Sequence, residues 1–137
     1  VTEGHLIADE LAKEKDVPMA VGPSLTFASK FELQNKSWKT AGVLANAGCH
    51  VSIITDNSVI PQQYLPLCAG MAVKAGMDPF YALKAITINP AEHIGVADRV
   101  GSLEVGKDAD LVITNGCPFE VMTEVKAVFI DGVRIAE

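Results

Sequence analysis

The stretch HVSIITDNSVIP, residues 50–61, decides the fold class of this chain. Its first six residues, 50–55, have the apolar character of a buried strand, and the carboxylate of Asp56 and a polar turn follow at once. Two interpretations of Asp56 are open. In the first, Asp56 caps the next helix, because a carboxylate in that position accepts hydrogen bonds from backbone N–H groups. In the second, it is a catalytic or metal-binding group at the carboxyl end of a parallel strand.

Helices and buried strands alternate on either side of this stretch. The apolar run over 16–22, which ends at Gly22-Pro23, predicts a second strand that is buried on both faces. Ser37 and Asp78 are predicted N-caps of two of the helices. The βα order predicts an α/β fold in which parallel strands are joined by right-handed crossovers. Apolar residues at helical spacing predict helices over 4–15, 37–48, 62–75, 78–87 and 89–95.

The sequence pattern changes after Gly95. Residues 96–137 alternate apolar with polar side chains, and Asp131-Gly132 is a strong signal for a two-residue hairpin turn. We therefore predict two parts, βα units over 1–95 and an antiparallel segment over 96–137. Ligands of parallel sheets gather outside the carboxyl ends of the strands, which favours the functional interpretation of Asp56.

Composition argues against several classes of function. The chain of 137 residues has a net charge of −6 and no basic stripe, so we expect no nucleic-acid partner. No apolar run is long enough to span a bilayer, so we expect no membrane partner. The three cysteines, Cys49, Cys68 and Cys117, form no CxxC pair and indicate a reducing cytoplasm. The chain opens on Val1 and enters a helical pattern within a few residues, so we expect that it is cut from a longer protein.

Apart from Asp56, few residues are candidates for catalysis. The histidines, His5, His50 and His93, form neither an HxH nor an HExxH motif, so the sequence holds no ready-made metal site. Any further ligands of a metal at Asp56 would lie outside this chain. We interpret His5 as a surface histidine of the first helix, and His50 and His93 as structural. The GxSxG elbow of nucleophilic hydrolases and the glycine-rich phosphate loops do not occur.

A polar stretch over 23–36 follows the first predicted strand. Loops of this length inside compact domains are usually functional or mobile, so we expect this one to influence the choice of substrate. Loop polarity alone would produce the same residues, and Glu3, in the first turn, needs only a helix-dipole role. The candidate contact residues of the loop are Ser24, Thr26, Lys30 and Glu32.

Two segments carry a resemblance to a known family. ALKAITINPAEHIGVADRVGSLEVGKDADLVITNG, residues 82–116, resembles the C-terminal signature of the amidohydrolase superfamily, and AVFIDGVRI at 127–135 resembles its closing hairpin. The strand that ends in IITDN at 53–57 is similar to the family's eighth barrel strand, whose terminal Asp is a metal ligand and proton shuttle. The resemblance assigns both roles to Asp56. The subgroup that the chain most resembles is that of imidazolonepropionase-like metal-dependent hydrolases.

This resemblance implies the C-terminal part of a (β/α)8 barrel, because a whole barrel needs about 250 residues. The strands over 16–22 and 50–55 would be the seventh and eighth, and 96–137 would be part of a small antiparallel β-sandwich. A full-length parent would hydrolyse a C–N bond of a small-molecule substrate with a divalent metal, for which zinc is expected. The fragment alone would be inactive and metal-free. The alternative is a non-catalytic barrel that serves as a scaffold for binding or assembly.

We also expect the fragment to associate with copies of itself. A barrel that is cut between strands exposes a strand edge and an apolar inner wall. Dimerisation or an exchange of elements would cover both, so a homo-oligomer is expected.

Overall fold

The first two strands of the chain form a parallel pair. The computed structural model describes residues 1–14 and 16–136. Strand β1 (Met19–Val21) lies beside strand β2 (Val51–Ile53), and the two are hydrogen-bonded in parallel along their whole length. The predicted parallel arrangement is confirmed, although both strands are shorter than the apolar runs that predicted them.

The two strands differ in burial. All three residues of β2 are buried, whereas in β1 Ala20 is exposed between buried Met19 and Val21. The prediction that the first strand is buried on both faces is therefore wrong, because the described residues place no element over the Ala20 side chain. Backbone pairing continues just past the strand ends, where the Ile54 N–H donates to the Val21 carbonyl at 3.0 Å.

The helices lie close to their predicted positions, with one exception. The predicted helix over 4–15 is instead a 3-10 turn (Gly4–Ile7) followed by a single turn of α-helix. The N–H groups of Lys13 and Glu14 bond to carbonyls three residues back, which tightens and ends this helix. Lys15 lies outside the described residues. The helices are α1 (Ala8–Leu11), α2 (Thr40–Asn46), α3 (Leu65–Lys74), α4 (Pro79–Lys84) and α5 (Ile88–His93).

One of the two predicted N-caps is confirmed. The Asp78 carboxylate accepts a hydrogen bond from the Tyr81 N–H at 2.8 Å and so caps α4. The prediction for Ser37 is wrong, because α2 begins later, at Thr40. The Ser37 hydroxyl instead accepts a hydrogen bond from the Lys39 N–H at 3.2 Å and closes a turn that precedes the helix.

The outer edge of β2 is covered by α4, α5 and the connection between them, residues 85–87. The Tyr81 hydroxyl donates to the Cys49 carbonyl at 2.9 Å, and the buried Asn89 amide donates to the Val51 carbonyl at 2.7 Å. The Ile53 N–H in turn donates to the Ala85 carbonyl at 2.9 Å. Within the described residues these hydrogen bonds cover the outer edge of β2, so the expected open strand edge is not found there.

The C-terminal part of the chain is a three-stranded antiparallel sheet. Strands β3 (Leu111–Thr114), β4 (Val125–Ile130) and β5 (Val133–Ala136) lie in the order β3-β4-β5. Asp131 and Gly132, at the β4–β5 turn, have φ of 51° and 76°. These values fit the type I′ turn that the Asp-Gly pair predicts, so the predicted hairpin is confirmed.

The main hydrophobic core lies between the parallel strands and the helices. Leu44 of α2, Cys68 of α3 and Ala82 of α4 are fully buried in one cluster with Val51 of β2. This packing fixes β2, and with it the segment that carries Asp56, against three helices. No helix in the described ranges is long and apolar enough to cross a membrane.

Candidate active site

Asp56 lies three residues beyond β2, at the carboxyl end of the parallel pair. Its side chain is exposed, and its φ of 55° places the backbone in the left-handed region. Asp tolerates this region better than most residues do. The Val59 N–H donates to the Asp56 carbonyl at 2.7 Å, so a hydrogen-bonded turn holds the residue in place. The result is a solvent-facing carboxylate at the edge where parallel sheets bind their ligands.

The helix-cap interpretation of Asp56 is wrong. The next helical element is a 3-10 turn (Gln62–Tyr64) whose N-cap is Pro61, and no side chain caps it. The N-cap of α3 is Tyr64, which also receives no side-chain bond. Within residues 1–14 and 16–136, no group donates a hydrogen bond to the Asp56 carboxylate. Its charge therefore remains available to a ligand.

The described residues offer one metal ligand at this edge and not a complete set. No three His, Cys, Asp or Glu side chains among them lie close enough together to hold a metal ion. A carboxylate is a suitable ligand for zinc, but zinc sites usually have three or four protein ligands. Asp56 therefore fits a divalent-metal site as a single contributor.

The N-terminal segment is tied to the carboxyl end of β1. The Thr2 hydroxyl donates to the Gly22 carbonyl at 3.3 Å, and the Thr40 hydroxyl donates to the Thr2 carbonyl at 3.2 Å. The Thr40 hydroxyl oxygen also lies 2.8 Å from His5 Nδ1, within hydrogen-bonding distance. The interpretation of His5 as a plain surface histidine is wrong, since its ring is half-buried and hydrogen-bonded between two elements.

Glu3 and Lys36 fasten the end of the 23–36 loop. Glu3 accepts a hydrogen bond from the Asn35 N–H at 2.6 Å, and it provides no cap to the 3-10 turn that follows it. The helix-dipole role expected for Glu3 is therefore replaced by a loop contact. The Lys36 ammonium donates to the Thr26 hydroxyl, and burial lowers the pKa of Lys36. Of the four candidate contact residues, Thr26 is thus engaged within the loop, Ser24 is half-buried, and Lys30 and Glu32 are exposed.

A polar cluster lies at the opposite, amino end of β2. His93 Nδ1 is 2.8 Å from the Ser52 hydroxyl, and the His93 and His50 rings meet edge to face with centroids 4.5 Å apart. His50 Nε2 is 2.8 Å from a Glu92 carboxylate oxygen. A cavity of about 340 Å³ is lined by the two histidines and Glu92, together with Asp16 and Pro18. Both histidines therefore link α5 to β2 and lie far along the strand from Asp56, as the structural interpretation predicted.

The cluster makes stability depend on pH. Burial, and next the neighbouring His50, lower the pKa of His93 below its ordinary value of about 6.5. The unfolded chain consequently binds a proton at a pH where the folded chain does not. We expect the free energy of unfolding to be highest above about pH 6.5 and to decrease as the pH falls through and below this value.

Urea unfolding at several pH values between about 5.5 and 7.5 measures this effect. His93→Gln removes the titrating ring and is expected to flatten the dependence, while His5→Gln retains it. Equal slopes for the wild type and His93→Gln would contradict the assignment to His93.

The two buried cysteines are not candidate nucleophiles. Burial raises the pKa of the Cys49 and Cys68 thiols, which disfavours the reactive thiolate. Cys117 is exposed and unpaired, and none of the three forms a disulfide.

The signature segment builds a loop. The Lys107 ammonium donates to the Ser102 hydroxyl at 2.5 Å and lies 3.2 Å from the Glu104 carboxylate. Arg99 pairs with Asp108 at 2.5 Å. These contacts close residues 99–108 into a loop, so the charged residues of this segment have a structural role and Asp56 remains the candidate catalytic group.

An apolar cavity lined mainly by residues that follow Asp56 in the chain was not predicted. It has a volume of about 310 Å³. Five of its lining residues follow Asp56 in the chain, and one lies on the loop after β1. Only tertiary packing brings the two segments together, although the apolar pair Val59-Ile60 after a polar turn is a weak signal in the sequence. The lining residues are Leu25, Val59, Ile60, Pro61, Tyr64 and Leu67.

The parallel pair and its covering helices define the class of protein, an α/β protein with an exposed acidic side chain beyond the carboxyl edge of its strands. The sequence profile of the amidohydrolase family matches residues 6–135, nearly the whole chain. The chain therefore belongs to the amidohydrolase family, and the resemblance found in its sequence is confirmed.

Two curated imidazolonepropionases are among the similar proteins. That of Geobacillus kaustophilus is 42% identical over 97 residues, which are 69% of this chain and 22% of that protein. That of Thermoplasma volcanium is 34% identical over 133 residues, or 88% of this chain and 32% of that protein. An adenine deaminase of Methanosphaera stadtmanae is 51% identical over 49 residues, or 36% of this chain and 9% of that protein. The chain thus spans about a third or less of these relatives.

Solved structures show the same fold. An amidohydrolase from Thermotoga maritima superposes with a TM-score of 0.92 at 40% identity, over 98% of this chain and 35% of that one. An adenosine deaminase from Xanthomonas campestris with bound zinc superposes with a TM-score of 0.62 at 23% identity, over 97% of this chain and 35% of that one. The Thermotoga structure is similar to this chain in both sequence and fold, whereas the likeness to the Xanthomonas structure shows the fold alone.

Proposed function

We propose that this chain is the C-terminal part of a metal-dependent amidohydrolase that hydrolyses the C–N bond of an amide or cyclic amide. The observation that carries the proposal is Asp56, an exposed carboxylate in a left-handed turn beyond β2, within a chain that matches the family over 6–135. The names of the relatives, imidazolonepropionase and adenine deaminase, support action on a C–N bond.

Asp56 would have two roles in such an enzyme. Its carboxylate would hold a divalent metal, together with ligands from the rest of the parent protein. A metal at this position would acidify water and polarise the scissile carbonyl. Asp56 would accept the proton of the attacking water and return it to the leaving nitrogen. Zinc is the proposed metal, and the zinc in a fold neighbour supports it.

The proposal places β1 and β2 as the seventh and eighth strands of a (β/α)8 barrel, and the β3–β5 sheet as part of the sandwich. The parallel pairing and the likeness to the Thermotoga amidohydrolase support this assignment. The single ligand that the described residues offer supports inactivity of residues 1–137 alone. We further propose that the fragment forms homo-oligomers, which the exposed apolar side chains of Val112 and Val133 favour.

A second candidate function is a barrel that acts as a non-catalytic scaffold. It is favoured by one observation, namely that the signature residues around Lys107 stabilise a loop and offer no catalytic group. Under this alternative Asp56 would be a polar turn residue.

Chelation of the full-length parent protein separates the two. We expect 1,10-phenanthroline to reduce turnover at least about 100-fold and added Zn²⁺ to restore it, because the attacking water then loses and regains its activation. Imidazolonepropionate, adenine and simple cyclic amides are the first substrates to test, and 1,7-phenanthroline, which does not chelate, is the control. A metal-free parent that folds normally and turns over none of these substrates would support the scaffold.

A further inference from the structure

The apolar cavity is lined by residues that follow β1 and β2, so it lies at the carboxyl edge of the parallel pair, where Asp56 also lies. Five of its six lining residues lie in the segment 59–67, which begins three residues after Asp56. A hydrogen bond of 2.7 Å from the Val59 N–H to the Asp56 carbonyl fixes the first residue of this lining segment relative to the Asp56 backbone. The sixth lining residue is Leu25, on the loop that follows the carboxyl end of β1.

The lining has a uniform chemical character. No lining residue is charged, and the Tyr64 hydroxyl is the one polar side-chain group among them. Of the lining residues, Ile60 is buried, whereas Val59 is 54% and Tyr64 45% exposed. Large apolar groups exposed side by side next to a candidate active site are typical of a ligand-binding surface.

We infer that this cavity receives an uncharged apolar substituent of the substrate, aliphatic or aromatic, while the scissile bond lies at Asp56. The inference rests on the proposed function and names its substrate class. A charged substituent would lose its hydration here without gaining a partner. At about 310 Å³ the cavity lies at the small end of ligand pockets, which suits one substituent. Leu25, Val59 and Tyr64 are then residues that determine specificity.

Methyl-resolved NMR on the chain itself tests the cavity without requiring metal or turnover. Cyclohexanol is the probe, and myo-inositol, which has the same ring with a hydroxyl on every carbon, is the polar control. We expect saturable shifts of the Leu25, Val59, Ile60 and Leu67 methyl signals with cyclohexanol and none with inositol. The absence of saturable shifts up to the solubility limit of cyclohexanol would overturn the inference.

Variants at Val59 make the test specific. Val59→Asp is expected to weaken cyclohexanol binding at least about tenfold, because it places a charge beside the apolar ring. Val59→Trp, which fills the cavity without adding charge, is expected to weaken it as well. Val105→Asp, at a fully exposed valine outside the cavity, is the matched control and should bind like the wild type. Wild-type affinity in both folded Val59 variants would contradict the cavity as the binding site.

The two proposals fail independently. Saturable cyclohexanol binding in a chain whose parent shows no metal-dependent turnover would retain the apolar cavity and reject the hydrolase. Metal-dependent turnover in a parent whose cavity binds no apolar probe would retain the hydrolase and reject the proposed substrate class.

Discussion

Asp56→Asn in the full-length parent protein is expected to reduce turnover of the amide substrate by about 10³-fold or more. The asparagine amide has nearly the same shape, so the turn at 56–59 should persist. It carries no negative charge, however, and cannot accept a proton from water. General acid–base catalysis contributes about 10²–10⁴-fold by itself, and the loss of a metal ligand adds to this.

The measurement is kcat and KM for wild type and variant under identical metal loading. Asp98→Asn is the matched control, because Asp98 is an exposed aspartate outside the candidate site and its loss should leave kcat unchanged. An Asp56→Asn enzyme with at least half the wild-type kcat would show that Asp56 neither binds the metal nor carries the proton.

Gly22→Ala is expected to destabilise the chain by about 3 kcal/mol. A Cβ atom at this position would lie 2.1 Å from the Ile54 carbonyl oxygen, which is backbone and cannot rotate away. The φ of 148° at Gly22 is also one that side chains rarely adopt. The cost combines overpacking, at about 1–3 kcal/mol, with backbone strain of about 1–2 kcal/mol. Because Ile54 lies two residues before Asp56, the substitution would also displace the candidate site.

Urea denaturation of the wild type and of Gly22→Ala measures this loss in the free energy of unfolding. Gly48→Ala is the control, since Gly48 has a φ of 93° but no atom within 4 Å of the added Cβ. It should cost only the backbone strain, about 1 kcal/mol. Equal losses for the two variants would show that the contact with the Ile54 carbonyl does not limit the residue at position 22.

Local signals in the sequence predicted much of the fold. The apolar runs gave both parallel strands, Asp78-Pro79 gave the start of α4, and Asp131-Gly132 gave the hairpin. In each case the information lies within a few neighbouring residues, and the βα order then requires parallel strands. The candidate site residue, Asp56, could be named from the sequence because it directly follows the apolar run over 50–55.

Contacts between distant segments could not be predicted in this way. Glu3 meets Asn35 across 32 positions, and His5 meets Thr40 across 35, so neither partner is visible in the local pattern. The apolar cavity likewise joins Leu25 to the segment 59–67, and the left-handed turn at Asp56 has no signature of its own. Tertiary packing decided each of these.

X-ray diffraction from crystals of the zinc-loaded parent protein, recorded at the zinc absorption edge, tests the role of Asp56 most directly. The proposed function predicts an anomalous peak about 2.0–2.2 Å from a carboxylate oxygen of Asp56, at the carboxyl end of β2. A fully occupied metal site in which Asp56 takes no part, or crystals that bind no metal under these conditions, would contradict it.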